Sequence, residues 1–135
     1  MQILCAEDNA TNRKVIQLML EANGYALDFA VNGQEAVGLF VDRDYTLILM
    51  DMEMPVMSGL DATRKIRALE VRQGRPYTPI LFLTGNDDQD HIQAGMTAGG
   101  DGHLVKPFTP QDLISAIFKV TRPHPRPAFP ESGTA

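Results

Sequence analysis

Four short apolar segments of the sequence end in polar side chains that could take part in chemistry. Glu7 and Asp8 follow the first segment, and Asp51 follows another. Thr84 ends a third segment and Lys106 follows a fourth. If the segments are parallel strands of one sheet, their carboxyl ends share the edge at which open α/β sheets bind ligands. The sequence therefore predicts one site that holds three carboxylates, a hydroxyl and an ammonium.

These groups together suit the transfer of a phosphoryl group. Three neighbouring carboxylates repel one another and raise one another's pKa, and a hard divalent cation such as Mg²⁺ (or Mn²⁺) removes that repulsion. The Lys106 ammonium and the Thr84 hydroxyl can contact the phosphoryl oxygens. Asp51 is the candidate nucleophile, because carboxylates form phosphoryl intermediates.

Each of these residues also has an ordinary structural explanation. Asp51 could end its strand or cap the next helix, and the acid pair could be solvated at a helix N-terminus. Thr84 could be a β-branched strand residue, and Lys106 a surface lysine. Their joint placement at one edge is what favours a functional site.

The elements that must position these side chains alternate between strand and helix. The predicted strands are Gln2–Ala6, Tyr25–Val31, Thr46–Met50, Ile80–Leu83 and His103–Val105. The predicted helices are Thr11–Asn23, Gln34–Arg43, Asp61–Arg72, a helix from the Asn86-Asp87-Asp88 cap to about Ala98, and one from the Thr109 cap to about Thr121. The fourth helix contains Gly95 and is expected to be the weakest.

Five strand–helix units predict an α/β fold, since right-handed crossovers give a parallel sheet with helices on both faces. We expect a flavodoxin-like (βα)5 three-layer sandwich with strand order 2-1-3-4-5, one of two common solutions. That order places the first and third strands side by side. It would therefore bring Asp51 next to the Glu7-Asp8 pair.

Size and composition bear on the partners, location and domain organisation of the protein. The chain has 135 residues and a net charge of −5, so it lacks a basic footprint for nucleic acid. Its single cysteine, Cys5, lies in an apolar strand and fits a reducing compartment. No signal peptide or membrane span is recognisable, which leads us to expect a cytoplasmic location. We expect one domain over residues 1–121 and a Pro-rich tail or linker over 122–135.

The motifs at the strand ends resemble those of response-regulator receiver domains. The similarity covers residues 2–121 and rests on Ile-Leu-Cys-Ala-Glu-Asp-Asn, Leu-Met-Asp-Met-Glu-Met-Pro-Val-Met-Ser-Gly, Leu-Thr-Gly and Leu-Val-Lys-Pro-Phe. The run from Glu7 to Arg13, together with Met-Pro-Val-Met-Ser-Gly-Leu-Asp-Ala-Thr, is most similar to receivers of hybrid sensor histidine kinases. The resemblance implies a phosphoacceptor domain of a two-component phosphorelay.

The resemblance also implies a role for each site residue. Asp51 would accept the phosphoryl group, with Lys106 and Thr84 assisting and with Thr84 and His103 acting as the switch. The metal ligands would be Glu7 (directly or through water), Asp8, Asp51 and the backbone carbonyl of Glu53. Glu53 and Asn86 would set the dephosphorylation rate, and the Lys106–Pro107 bond would be cis. Glu7 and His103 depart from the commoner Asp and aromatic carbocycle at their positions.

The expected partner is a histidine kinase or a histidine phosphotransfer protein. It would dock on helix 1 and the Asp51 edge, because helix 1 carries more apolar positions than one buried stripe uses. The alternative is that these positions form one wide stripe facing the core. Phosphorylation would switch the face formed by helix 4, strand 5 and helix 5, and a homodimer could form through that face. We expect no direct contact with nucleic acid or membrane. The domain would catalyse only its own phosphorylation and dephosphorylation.

Three other kinds of protein share part of this pattern. A haloacid-dehalogenase-type phosphatase also uses an aspartate nucleophile and Mg²⁺, but it expects an Asp-x-Asp pair after its first strand. A dinucleotide-binding protein would need a G-x-G-x-x-G turn, which is lacking after the first strand. A pseudo-receiver that binds partners without being phosphorylated would be recognised by failure to bind Mg²⁺ or to accept a phosphoryl group.

Overall fold

The computed structural model describes residues 1–86 and 88–121, in which strands and helices alternate strictly. The predicted tail, 122–135, lies outside the described residues. The elements are β1 (Gln2–Ala6), α1 (Ala10–Glu21), β2 (Ala26–Ala30), α2 (Gly33–Asp42), β3 (Leu47–Asp51), α3 (Gly59–Gln73), β4 (Ile80–Thr84), α4 (Gln89–Ala98), β5 (Gly102–Val105) and α5 (Pro110–Thr121).

The five strands form one parallel sheet in the order β2-β1-β3-β4-β5. This confirms the flavodoxin-like (βα)5 prediction. Side chains alternate between the two faces of the sheet. Along β3, Leu47 and Leu49 enter the core shared with α1 and α5, whereas Ile48 and Met50 enter the core shared with α2 and α3. The sheet is therefore buried on both faces and forms the middle of three layers.

Helix boundaries follow capping residues. Asn9, Asn32, Ser58 and Asp88 each accept a hydrogen bond from the backbone N–H three residues later. The predicted start of α3 at Asp61 is wrong by two residues, because Ser58 is the cap and Gly59 is already helical. The predicted end of α1 at Asn23 is also wrong by two residues, because the helix ends at Glu21.

Glycines allow two close approaches that shape the site. A Cβ at Gly59 would collide with the carbonyl oxygen of Asp51, so only glycine lets α3 start against the end of β3. A Cβ at Gly95 would lie 3.0 Å from the Phe82 ring. Gly95 and Ala98 are the buried residues of α4, so this helix packs on the sheet through small side chains.

No helix in residues 1–86 and 88–121 has the length and apolar character needed to cross a membrane.

Candidate functional site

The register of the sheet brings the acids together. Ala6 of β1 lies beside Met50 of β3, so the next residues along these strands, Glu7 and Asp51, meet at the carboxyl edge. Carboxylate oxygens of Glu7, Asp8 and Asp51 all lie within 4.8 Å of one another. The predicted acid cluster is thus present, with Glu7 and Asp51 buried and Asp8 exposed. Its chemistry fits a hard divalent cation, which takes carboxylate and carbonyl oxygens as ligands.

Asp51 lies in an environment that disfavours its charge. Its residue surface is 5% exposed. Burial, followed by the negative charge of Glu7, raises the pKa of Asp51 from 3.8 to about 7, although Lys106 and a hydrogen bond from Glu53 N–H act in the opposite direction. Glu53 N–H donates to Asp51 Oδ1 over 3.2 Å, so this turn brings the Glu53 main chain beside the carboxylate.

Lys106 reaches the acids from the end of β5. Its Nζ donates to Glu7 Oε1 over 2.8 Å and lies 3.4 Å from Asp51 Oδ2. Burial alone would lower the pKa of Lys106, but the hydrogen bond to Glu7 and the charges of Asp51 and Glu7 outweigh burial and raise it. The Lys106–Pro107 bond is cis, as the sequence motif implied.

Thr84 and Asn86 form the adjoining loop. The buried Thr84 hydroxyl accepts a hydrogen bond from Asn86 N–H and contacts Asn86 O as donor, each over 3.1 Å. Asn86 Oδ1 accepts from Asp88 N–H over 2.9 Å. In this structure the hydroxyl is therefore bonded within its own loop.

His103 does not join the acid cluster. It pairs with Phe82 in the β4–β5 ladder and is exposed. Because Phe82 packs in the core with α2 and α3 whereas Leu104 packs in the core with α5, the His103 side chain lies on the face of the sheet opposite α5. Its part in the switch remains a prediction about the phosphorylated state.

The sequence analysis missed contacts made near the site by two side chains, Arg13 and His91. Arg13 Nη1 donates to the carbonyl oxygen of Glu7 over 2.9 Å. His91 lies between two acids, with Nδ1 2.8 Å from Asp88 Oδ1 and Nε2 3.7 Å from Glu53 Oε2. The hydrogen bond to Asp88 raises the pKa of His91, and the His91 backbone and ring lower the pKa of Asp88. The three-residue spacing of Asp88 and His91 was the available signal, because a cap residue lies close to the side chain one turn later.

The fold and the edge of the sheet define the class to which this chain belongs. Residues 3–118 match the model of the response regulator receiver domain, so the chain is a member of that family. It is accordingly a signalling domain of two-component systems, and the dehalogenase-type phosphatase alternative is set aside.

Characterised relatives are similar over this domain. The transcriptional regulatory protein ResD of Bacillus subtilis (strain 168) is 34% identical over 121 residues, which cover 90% of this chain and 48% of ResD. The cell cycle transcriptional regulator CtrA of Caulobacter vibrioides is 34% identical over 122 residues, 90% of this chain and 51% of CtrA. The chain thus spans about half the length of these curated relatives.

Two solved structures are informative. The receiver domain of sensor histidine kinase PA1611 from Pseudomonas aeruginosa PAO1, which has a magnesium ion in its active site cleft, is 36% identical with a TM-score of 0.80, covering 89% of this chain and 96% of that one. The receiver domain of Ssk1 from Saccharomyces cerevisiae, solved with the histidine phosphotransfer protein Ypd1, is 28% identical with a TM-score of 0.85, covering 90% of this chain and 88% of that one.

Proposed function

We propose that this receiver domain accepts a phosphoryl group on Asp51 from a phosphohistidine of a kinase or phosphotransfer protein. The observation that carries the proposal is the cluster of three carboxylates within 4.8 Å, with the Lys106 ammonium 3.4 Å from Asp51. A buried acid beside an ammonium at the carboxyl edge of the central strand suits a nucleophile toward phosphorus.

The transfer forms one bond and breaks one. An Asp51 carboxylate oxygen bonds to phosphorus while the P–N bond of the donor phosphohistidine breaks, and the electron pair of that bond stays on the histidine ring. Lys106 would contact a phosphoryl oxygen, and a rotation of Thr84 away from Asn86 would offer its hydroxyl to another. Through this change Thr84, and His103 on β5, would act as the switch.

The residues proposed to hold Mg²⁺ are Asp8, Asp51 and the carbonyl of Glu53, with Glu7 acting directly or through water. A bound cation would offset the repulsion of the carboxylates and neutralise charge on the phosphoryl oxygens. The side chains of Glu53 and Asn86 lie on the two loops beside Asp51, which supports their proposed influence on the dephosphorylation rate.

Phosphorylation can be tested directly. Incubation with acetyl phosphate and Mg²⁺ should add one phosphoryl mass to the intact protein. The adduct should be lost in Asp51→Asn and kept in Asp42→Asn, an exposed acid on α2. An adduct that survives Asp51→Asn, or forms equally well in chelator, contradicts the proposal. Failure of the wild type to accept the group would favour a pseudo-receiver.

The proposed docking surface for the donor is the α1 side of the site. Val15 and Leu18 of α1 are exposed, and an open cavity of about 410 Å³ lies between α1 and the segment after β5. Its lining includes Ile16, Phe108 and Lys106, so it runs from an apolar surface to the acid cluster.

A surface substitution separates docking from chemistry. Leu18→Glu should slow transfer from whichever phosphohistidine protein of the source organism phosphorylates the wild type, with acetyl phosphate labelling unchanged. Val41→Glu on α2 is the matched control, because Val41 is also an exposed aliphatic residue on a helix. Equal transfer rates in all three proteins would place the donor elsewhere.

The remaining proposals concern output and location. A homodimer through α4, β5 and α5 is supported by the exposed Phe118 and by a shallow cavity of about 250 Å³ that His103, Ala116 and Lys119 help to line. Sedimentation velocity with and without beryllofluoride, a phosphoryl mimic, tests it, and a monomer under both conditions refutes it. A cytoplasmic location is supported by Cys5, a buried free thiol.

A further inference from the structure

Arg67 of α3 lies at the amino edge of the sheet, where the strands begin, on the side opposite the acid cluster. Its side chain is 16% exposed, and its guanidinium donates four hydrogen bonds. Two go to main-chain carbonyls, from Nε to Gly99 O and from Nη1 to Thr78 O, each over 2.9 Å. Two go to carboxylates, from Nη1 to Glu70 Oε1 over 2.7 Å and from Nη2 to Asp101 Oδ2 over 3.0 Å. One side chain of α3 therefore holds the end of α4 and the segments that lead into β4 and β5.

The partners of Arg67 are themselves fully bonded. All four carboxylate oxygens of Glu70 and Asp101 accept hydrogen bonds. Asp101 Oδ1 accepts from Tyr77 OH over 2.8 Å, and Oδ2 also accepts from Ile80 N–H over 2.9 Å. The guanidinium carbon of Arg67 lies 3.8 Å from the centre of the Tyr77 ring. Pulling this group apart would leave charges and hydrogen-bonding atoms unpaired in a mostly buried place, which is costly. We call these four side chains the amino-edge cluster: Arg67, Glu70, Tyr77 and Asp101.

The other end of α4 is held more weakly. The cap residue Asp88 is exposed and accepts a hydrogen bond from His91 N–H, and His91 Nε2 lies 3.7 Å from the exposed Glu53 carboxylate. Contacts between exposed charged side chains contribute little to stability. The buried residues of α4, Gly95 and Ala98, both lie in its second half. The helix is therefore held firmly at its carboxyl end and loosely at its amino end.

The two ends of α4 belong to opposite edges of the sheet. β4 has five residues, so its two ends are about 13 Å apart at about 3.3 Å per residue. Thr84, at the carboxyl end of β4, is followed by the loop that leads into α4, whereas Thr78, just before β4, contacts the amino-edge cluster. A change at the acid cluster therefore reaches the amino end of α4 first.

We propose that the amino-edge cluster is a fixed anchor about which α4 pivots when Asp51 is phosphorylated. Gly99 stays bonded to Arg67, the small buried side chains of α4 let the helix tilt on the sheet, and the displacement grows toward Gln89. Arg67 is thus a positioning residue for the switch, at the edge of the sheet opposite the phosphoryl group. The pivot rests on the proposed function, whereas the anchor can be tested in the unphosphorylated protein.

Amide hydrogen exchange followed by NMR tests the anchor in chelator, with no phosphoryl donor. Arg67→Lys keeps the positive charge but loses the forked donor geometry. Relative to the amides of β3, which report global opening, the amides of Gly100 and Asp101 should exchange at least about tenfold faster in this variant. Tyr77→Phe removes only the hydroxyl that Asp101 accepts from, and it should accelerate the same amides to a smaller degree. It takes the place of Arg67→Lys if that variant does not fold.

Arg75 offers a matched control. Its side chain is 15% exposed, its guanidinium carbon lies 4.0 Å from the centre of the Phe40 ring, and it donates to Phe40 O and Arg43 O at the end of α2. Arg75→Lys should leave the exchange of Gly100 and Asp101 unchanged relative to β3. Unchanged exchange in folded Arg67→Lys, or an equal acceleration in Arg75→Lys, would overturn the anchor.

NMR with beryllofluoride and Mg²⁺ tests the pivot. In the wild type the amide signals of residues 89–93 should shift, while the side-chain Nε–H signal of Arg67 and the amide signal of Gly100 stay in place. In Arg67→Lys the response should extend to Gly100 and Asp101, and in Arg75→Lys it should not.

Two outcomes contradict this account in different ways. A shift of the Arg67 Nε–H signal as large as those of residues 89–93 means that the anchor moves with the helix, and the pivot is then wrong. If no wild-type amide around Asp51 responds to beryllofluoride, the proposed function fails and the pivot fails with it. Hydrogen exchange would still decide whether Arg67 holds the end of α4.

Discussion

Neutralising Asp51 should stabilise the metal-free protein at neutral and alkaline pH. Burial and the charge of Glu7 raise the pKa of Asp51 to about 7 in the folded chain, whereas an unfolded chain has the ordinary value of 3.8. The folded state therefore binds more protons than the unfolded state between these values. Stability should fall as the pH rises from about 4 to about 7 and then level off.

The size of the stability gain follows from the shift in the pKa of Asp51. About three pKa units correspond to about 4 kcal/mol, at about 1.36 kcal/mol per unit. Relaxation of the protein and entry of water into the site reduce this energy. We therefore expect the free energy of unfolding of Asp51→Asn to exceed that of the wild type by about 2–4 kcal/mol at pH 8. Near pH 4 the two proteins should have nearly equal stability, because the carboxyl of Asp51 in the wild type is then neutral in the folded state.

Urea unfolding in chelator, repeated from pH 4 to pH 8, measures the difference. Asp42→Asn serves as the control. Because Asp42 is exposed, the free energy of unfolding of this variant should stay within about 0.5 kcal/mol of the wild type at every pH. Added Mg²⁺ should stabilise the wild type and not Asp51→Asn. The reasoning is refuted if Asp51→Asn is no more stable than the wild type at pH 8, or if its gain is the same at pH 4.

Three further perturbations test the loops and the switch. Gly59→Ala should lower the free energy of unfolding by several kcal/mol and abolish phosphorylation, because the new Cβ meets the Asp51 carbonyl. The control is Gly38→Ala in α2, where a Cβ meets open space. Urea unfolding should show that Gly38→Ala raises the free energy of unfolding by about 0.5–1 kcal/mol. Val56 is exposed and has a φ of 70°, a backbone conformation that strains a β-branched residue and suits asparagine. Val56→Asn should therefore raise the free energy of unfolding by about 1 kcal/mol, and a decrease in the same assay would argue against strain at this position. NMR of the His103 ring should show a changed environment on addition of beryllofluoride and Mg²⁺. Unchanged His103 signals together with shifted α4 signals would remove that residue from the switch.

Much of the fold could be predicted because its signals are local. The apolar runs of β1, β3 and β4 are short and bounded by Gly, Pro or polar residues, and each proved to be a strand within one residue of its predicted range. Helix boundaries were predicted less accurately than strands, because each predicted end depended on the type of a single residue at the terminus. Ser58 caps α3 three residues before the predicted start at Asp61.

The sequence by itself determined which side chains lie at the active edge. Because parallel strands end at the same edge, the residues that follow β1 and β3 had to meet once the strand order was assumed. Their number and type, three acids with a lysine, then predicted the chemistry. This reasoning needs only the ends of elements and no detail of side-chain packing.

Only the tertiary structure decided how these side chains pair. Glu7 and Lys106 are separated by 99 positions, and their 2.8 Å contact depends on the relative heights of β1 and β5 in the sheet and on the rotamers of both residues. The same holds for Thr84, which is bonded to Asn86, and for the exposed ring of His103. Strand periodicity gives the face on which a side chain lies, but a hydrogen-bond partner is selected by distances of a few tenths of an ångström between elements far apart in the chain.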